Sequence, residues 1–194
     1  MKIVLATRNK KKVEEIQRVL RDDTIELLNL ADFPDCPEVV EDGDTFVANA
    51  EKKAVEVARA TSCHALADDS GLVVDALDGA PGVYSARFAG VDATDKANMD
   101  KVLAQLAERP DQKRSARFIC VISFATPDGE VNSFSGAVEG IISDTPKGDN
   151  GFGYDPIFIP EGFDTTFAQM GAGQKDNMSH RGRALLAFSQ GWKP

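Results

Sequence analysis

No run in this 194-residue chain approaches the ~20 consecutive apolar residues of a membrane-spanning helix. The opening Met1-Lys2-Ile3-Val4-Leu5-Ala6 is too short for the apolar core of a signal peptide and runs straight into a lysine cluster. The expectation is a soluble, cytoplasmic protein with no membrane partner. Cysteine is scarce as well. Cys36, Cys63 and Cys120 are far apart and form no Cys-x-x-Cys arrangement, which argues against a disulfide framework and against a zinc site. Reduced thiols acting as small hydrophobes suit the cytoplasm. Basic charge is in deficit, with 22 Lys and Arg against 31 Asp and Glu and a net charge of −9. Nucleic acids and anionic membranes require a basic footprint, so neither is expected as a partner. A small anion held in a locally basic pocket remains compatible. Repeats, low-complexity segments and a clear interdomain linker are also missing, and the length suits a single domain over residues 1–194.

What is present centres on His64-Ala65-Leu66-Ala67-Asp68-Asp69-Ser70-Gly71-Leu72-Val73-Val74-Asp75. A short apolar run bounded by a turn signal reads as a buried strand, which predicts that the acidic pair sits where the strand leaves the sheet. Ligands of open α/β sheets bind outside such ends. Adjacent carboxylates are costly unless a cation lies between them or one takes up a proton. The pair therefore suits Mg²⁺ or general-base work, against the plainer reading of Asp-Asp-Ser-Gly as a polar turn.

Upstream, Lys2 to Ala6 reads as a strand, and Val13, Ile16, Val19 and Leu20 give a helical face over Lys10 to Arg21, with Thr7 and Asn9 as capping residues. The segment Thr7, Arg8, Asn9, Lys10, Lys11, Lys12 at a helix start is a candidate anion site, because first-turn N–H groups are free and the dipole's positive end faces the ligand. Lysines there oppose the dipole, which an anion would explain. The segment is not a Walker A loop, which needs Gly-x-x-x-x-Gly-Lys-Ser/Thr. Thr24 to Leu30 reads as a second strand, and a helix is predicted from about Thr45 to Ala60 with Asp44 as its N-cap. Glu41 just before it is a candidate second metal ligand, or simply a charge near the dipole, the latter favoured by position alone. Of Lys52 and Lys53, consecutive on that helix, one at most can face a site.

Downstream, a helix is predicted over Asp92 to Ala107, capped by Asp92 or Thr94, while Tyr84 to Gly90 is ambiguous. Arg114–Thr126 and Val131–Ser143 read as an antiparallel hairpin about Pro127-Asp128-Gly129-Glu130. Early strand–helix alternation followed by a long hairpin indicates α/β architecture with a mixed sheet. Gly148 to Pro156 is a glycine-rich loop in which Phe152 or Tyr154 could stack on a planar ring or simply anchor the loop. Finally, Ser179 is read as the cap of a helix running through Gln190, placing His180 and Arg181 in its first turn, again against the dipole. Lysines and helix starts suit phosphates, carboxylates suit Mg²⁺ and a water-activating base, and an aromatic suits a nucleobase. Composed this way, the residues describe a Mg²⁺-dependent enzyme acting on a nucleotide.

The chain also resembles the inosine triphosphate pyrophosphatase family, the pyrophosphatases of non-canonical purine nucleotides. The carriers are Ala6 through Lys12, Thr45-Phe46 through Lys53-Ala54, Ala67-Asp68-Asp69-Ser70-Gly71-Leu72, Gly79 through Arg87, Gly151-Phe152-Gly153-Tyr154-Asp155-Pro156 and Ser179-His180-Arg181-Gly182. Their presence in order over essentially the whole chain makes the resemblance specific. It implies an elongated mixed sheet flanked by helices, two lobes around a central cleft, and a homodimer. It implies hydrolysis of ITP, dITP or XTP to the monophosphate and pyrophosphate. Residue by residue, it implies that Thr7, Asn9, Lys12 and Lys53 hold phosphates, that Asp69 is the base, and that Glu41 and Asp69 bind Mg²⁺ with Asp68 close by. Ser70, Phe152, Gly153, Tyr154, Asp155, Lys175, His180 and Arg181 would line the nucleotide, with Phe152 stacked on the base and Lys175 or Arg181 donating to the 6-oxo group. Lys11 stands where the family usually has glycine, and would add a further phosphate contact. Two other readings are a Maf-type pyrophosphatase for pyrimidine or modified nucleotides and a non-catalytic nucleotide sensor.

Overall fold

The computed structural model describes residues 1–21 and 24–192. Its strands are β1 (Lys2–Leu5), β2 (Glu26–Asn29), β3 (His64–Val74), β4 (Ser115–Ala125), β5 (Val131–Ile142) and β6 (Phe158–Pro160), in a single sheet of order β2-β1-β3-β4-β5-β6. β1 runs parallel to β2 and β3, and β5 runs antiparallel to β6, so the sheet is mixed as expected. The helices are α1 (Lys10–Val19), α2 (Phe46–Thr61), α3 (Asp95–Ala107), α4 (Ala172–Met178) and α5 (His180–Gly191). No helix among the described residues is long and apolar enough to cross a membrane.

The chain falls into two compact units. Unit 1 comprises residues 1–69, 120–136 and 181 onward, and unit 2 comprises residues 70–119 and 137–180. Strand alternation organises unit 1. Ile3 and Leu5 of β1 and Leu66 of β3 join α1 and α5 residues such as Ile16, Leu185 and Phe188 in one apolar cluster. Val4, Ala6, Ala65 and Ala67, at the intervening positions, join Ala54, Val57 and Ala58 of α2 in another. Side chains alternate across a strand, so these clusters are the two faces of the sheet, each covered by helices. Unit 2 has one cluster, in which Leu72 and Val74 of β3, Phe118 of β4 and Val138 of β5 pack with Met99, Val102 and Leu106 of α3.

Several local expectations are corrected. β3 does not stop at the acidic pair but continues six residues past Asp68, to Val74. The reason is that both carboxylates find cations, described below, so the strand can carry them inside. The N-cap of α2 is Thr45, whose hydroxyl accepts from Ala48 N, rather than Asp44. Asn49 binds the preceding turn instead, accepting from Gly43 N at 2.8 Å and donating to Gly43 O at 3.2 Å. Thr94 caps α3, while Asp92 lies outside it at φ +61°. The ambiguous segment is a 3₁₀ turn over Gly82–Arg87. β6 and α4 are additions to the expected elements. Ser179 precedes α5 in extended backbone, and α5 begins at His180 as expected.

Candidate active site

Asn9 builds the first part of the site. Its side-chain oxygen accepts from Lys11 N and Lys12 N, capping α1, while Asn9 N donates to Thr7 Oγ1 at 3.1 Å. Arg8 Nη2 donates to Cys36 O at 3.3 Å. Lys10 and Lys11 are exposed, whereas Lys12, in the same first turn of the helix, is half-buried and ion-paired with Asp68.

Asp68 and Asp69 follow the alternation of β3 to opposite faces. Asp68 shares the α1/α5 face with Leu66. There Arg181 Nε donates to Oδ2 at 2.8 Å, Cys120 Sγ donates to Oδ2 at 3.1 Å, and Lys12 pairs with Oδ1. Arg181 is 2% exposed and pairs also with Glu15 of α1. The buried charges thus alternate as Lys12, Asp68, Arg181, Glu15. Burial alone would push the Asp68 carboxyl up, but Arg181 and Lys12 beside it hold it well below the ordinary carboxylate range. Burial, reinforced by the Asp68 charge, pushes the Cys120 thiol well up, so it remains a donor. The cation at the start of α5 therefore has its counter-charges inside the chain, and the dipole mismatch read from sequence needs no external anion to explain it.

Asp69 shares the α2 face with Ala65 and Ala67. Lys53 is buried there, donating to Glu41 Oε1 at 2.7 Å and to Asp68 O at 2.9 Å, and standing 3.5 Å from Asp69 Oδ1. Its neighbour Lys52 turns outward to Asp42, as helical geometry requires. Burial raises the Asp69 pKa, and the charges of Lys53 and Lys12 only partly oppose the rise. Burial depresses Lys53, but Asp69 and Glu41 raise it further, so it stays protonated. Asp69 Oδ2 is buried with no hydrogen-bond partner. An orphaned carboxylate oxygen of raised basicity is suited to accept a proton or a hard cation. No group of three His, Cys, Asp or Glu side chains among the described residues could hold a metal. Asp69 and Glu41, linked through Lys53, instead fit the habit of Mg²⁺, which takes one or two carboxylates and completes its shell with water and substrate phosphate.

Unit 2 supplies a different group. Asp155, 2% exposed, accepts from Phe152 N at 2.8 Å and from Lys175 Nζ at 2.6 Å. Lys175 Nζ also lies 5.1 Å from the Phe152 ring centroid and 5.7 Å from that of Phe167. Gly151 has φ +75°, and a Cβ there would stand 2.0 Å from Asp155 Oδ2, so glycine is required for the carboxylate to close on the loop. Gly153 N donates to Asp95 Oδ2 at 2.8 Å, and the buried Tyr154 donates its hydroxyl to Ser85 O at 2.7 Å. Burial, with Asp95 nearby, raises the Tyr154 phenol and keeps it a donor. His180 is buried and stacks on Phe118 with centroids 4.6 Å apart and planes 9° apart. Ser70, on β3 directly after the acidic pair, is half-buried.

Sequence reasoning missed Glu15, Cys120 and Asp95. Glu15 lies three residues after Lys12 and hence on the same helical face, a signal that could have been read. Cys120 and Asp95 carried none beyond their residue type.

The Ham1 family model matches residues 3–191. A protein of Geobacter sulfurreducens named dITP/XTP pyrophosphatase is 50% identical over 194 residues, 99% of this chain and 98% of its own. A namesake in Shouchella clausii is 50% identical over 97% of this chain and 94% of its own. The structure of a HAM1 protein from Coxiella burnetii superposes with TM-score 0.90 at 43% identity, covering 98% of this chain and 97% of that one.

Proposed function

The chain belongs to the Ham1 family, and from that premise we infer that it hydrolyses the non-canonical purine nucleoside triphosphates ITP, dITP and XTP to monophosphate and pyrophosphate. Such an enzyme clears deaminated purines from the nucleotide pool. The observation that carries the chemistry is Asp69, a buried carboxylate whose Oδ2 has no hydrogen-bond partner and whose basicity is raised beside a buried lysine.

In this reading Asp69 takes the proton from the attacking water. The water oxygen bonds to phosphorus, the α–β anhydride P–O bond breaks, and pyrophosphate leaves. Phosphoryl-type transfer needs charge neutralised and the nucleophile aligned more than it needs covalent help. Glu41 and Asp69 would hold Mg²⁺, and the ion when bound neutralises phosphate charge. Thr7, Asn9, Lys12 and Lys53 hold the phosphates, assisted by Arg8, Lys10 and Lys11 along the same segment. Lys12 and Lys53 rest on carboxylates in this structure, so their positive charge is already oriented before an anion arrives. Ser70, Phe152, Gly153, Tyr154, Asp155, Lys175 and His180 serve the nucleoside, with Phe152 stacked on the base, while Arg181, committed to Asp68 and Glu15, braces the carboxylate that Lys12 rests on. Donors at the base reject adenine, whose 6-amino group leaves them unpaired at about 1–3 kcal/mol per lost partner.

The family match extends through both units, which supports treating residues 1–194 as one pyrophosphatase domain. The motif resemblance further supports a homodimer, and the three free thiols support a reducing cytoplasm. Light scattering on the purified chain tests the first, and cell fractionation the second.

The deciding experiment measures pyrophosphate release from ITP, XTP, dITP, GTP, ATP and dTTP with and without Mg²⁺, with Asp69→Asn as control. Release from the inosine and xanthine nucleotides alone, abolished by EDTA and reduced about 10²- to 10⁴-fold by Asp69→Asn, is expected. Orthophosphate as product, or equal turnover of ATP and GTP, would overturn the assignment. Preference for dTTP would favour the Maf-type reading, and binding without release the sensor.

A further inference from the structure

The loop carrying Phe152 is built from residues that do not hold themselves in place. Gly148, Gly151 and Gly153 all have positive φ, at +84°, +75° and +61°, and glycine at such positions gains much freedom when its contacts are lost. Its order therefore depends on ties to neighbouring elements of unit 2. Asn150 Nδ2 donates to Met170 O at 3.1 Å, and Asp155 receives Phe152 N and Lys175 Nζ from inside the loop's own neighbourhood. Two ties reach further. The Tyr154 hydroxyl donates to Ser85 O, 69 residues earlier in the chain, and Gly153 N, immediately after Phe152, donates to the carboxylate of Asp95, 58 residues earlier, at 2.8 Å.

Asp95 is itself well placed to act as a fixed post. It is the first residue of α3, directly after the capping Thr94, where a negative side chain is favoured by the helix dipole. The helix start is anchored in turn. Asn98, 3% exposed and one turn on, accepts from Ala89 N at 2.8 Å and donates to Ala86 O at 3.2 Å, binding α3 to the end of the Gly82–Arg87 turn and the residues just after it. That same turn receives the Tyr154 hydroxyl at Ser85 O, and Ser85 Oγ accepts from Leu72 N at 2.9 Å. Gly153 and Tyr154 are thus both referred to one braced assembly of α3, the Gly82–Arg87 turn and β3.

We infer that Asp95 is a positioning residue for base recognition: its carboxylate pins Gly153 and so sets the plane of the Phe152 ring against which the purine stacks. The inference rests on the reading of Phe152 as the stacking residue. Asp95 touches neither substrate nor reacting atoms in this account, so it acts on substrate binding and leaves the hydrolytic step alone.

The test compares Asp95→Ala, Asp95→Asn and Phe152→Ala with the wild-type enzyme, measuring KM and kcat for ITP with Mg²⁺ and amide hydrogen exchange over residues 148–156. Asparagine keeps an acceptor oxygen for Gly153 N but loses the charge at the helix start, so it separates the loop tie from helix stabilisation. Expected are faster exchange in the loop and a KM raised about 5-fold in Asp95→Ala with kcat within about twofold, the scale of one lost hydrogen bond. Asp95→Asn should restore both to near wild type. If Phe152→Ala raises KM and Asp95→Ala does not, the inference is overturned while the stacking reading stands. If Phe152→Ala leaves KM unchanged, stacking falls and takes the inference with it. Equal defects in Asp95→Asn and Asp95→Ala would assign Asp95 to helix stability only and overturn the positioning role.

Discussion

The two units bury their polar groups by opposite means. In unit 1, charge is answered by charge: Lys12, Asp68, Arg181 and Glu15 alternate on one face of the sheet, and Lys53 stands among Glu41 and Asp69 on the other. In unit 2, buried polar side chains are mostly neutral and bind backbone, as Asn98, Ser85 and Tyr154 do, and the buried Asp155–Lys175 pair has a backbone N–H as third member. A buried ion pair is strongly sensitive to loss of one partner, whereas a side chain on backbone groups mainly fixes shape. The difference matches the tasks proposed for the two sets of residues, since triphosphate hydrolysis is a problem of charge and base recognition one of geometry.

The sharpest way to break the comparison is to remove one cation from each unit by a substitution of similar volume. Arg181→Met leaves Asp68 and Glu15 buried with a lost partner, and should lower unfolding free energy by about 3–5 kcal/mol. Lys175→Met leaves Asp155 still accepting from Phe152 N, and should cost about 2 kcal/mol. Urea unfolding of both variants decides. Equal losses would mean that the charge network of unit 1 is no more demanding than the single pair of unit 2, and the contrast would fail.

The same contrast explains what could be read from sequence. β1, α1, α2, α3 and the long hairpin follow from local periodicity, and the structure places them within a few residues of the expected bounds. The continuation of β3 through Asp68 and Asp69 was not legible, because carboxylates normally end a buried strand and the guanidinium that allows Asp68 inside lies 113 residues away. α4, with glycine in its seven residues, and the three-residue β6 are too short to show a period. The residue types of the site were visible as clusters, but the partition of Asp68 to the face with Arg181 and of Asp69 to the face with Lys53 needed the two covers of the sheet. Alternation showed only that the two must differ.

A second prediction uses pH to sharpen the contrast within unit 1. Asp68 has a folded-state pKa well below that of an unfolded aspartate, about 3.9. Its contribution to stability is present above the unfolded value and is lost as pH falls through the folded one. Asp69 has a raised pKa, so its contribution is present below the unfolded value and is lost as pH rises through the folded one. In metal-free buffer, Asp69→Asn should therefore gain stability relative to wild type as pH rises above about 4, and the deficit of Asp68→Asn relative to wild type should shrink as pH falls below about 4. Urea midpoints measured across that range check both signs. A stability difference for Asp69→Asn that does not change with pH would contradict the raised pKa.

The smallest expected effect separates backbone from side-chain contributions at the start of α1, where Lys11 replaces the glycine usual in the family that the chain resembles. The cap is made by Lys11 N and Lys12 N to Asn9 Oδ1, and any residue but proline at position 11 supplies the first of these. The Lys12 side chain, in contrast, reaches Asp68. Glycine at position 11 loses some helix propensity but also removes a cation from a first turn that holds no acidic residue. These terms are each below about 1 kcal/mol and opposite in sign. Lys11→Gly should therefore change KM for ITP by less than about threefold and leave unfolding nearly unchanged. Lys12→Ala should raise KM well beyond that and destabilise the chain as well, because it withdraws a counter-charge from a fully buried carboxylate. If Lys11→Gly weakened ITP as much as Lys12→Ala did, the lysine at 11 would be a phosphate contact of equal rank. The anion site would then extend along the exposed edge of the helix rather than end at the residue anchored to β3.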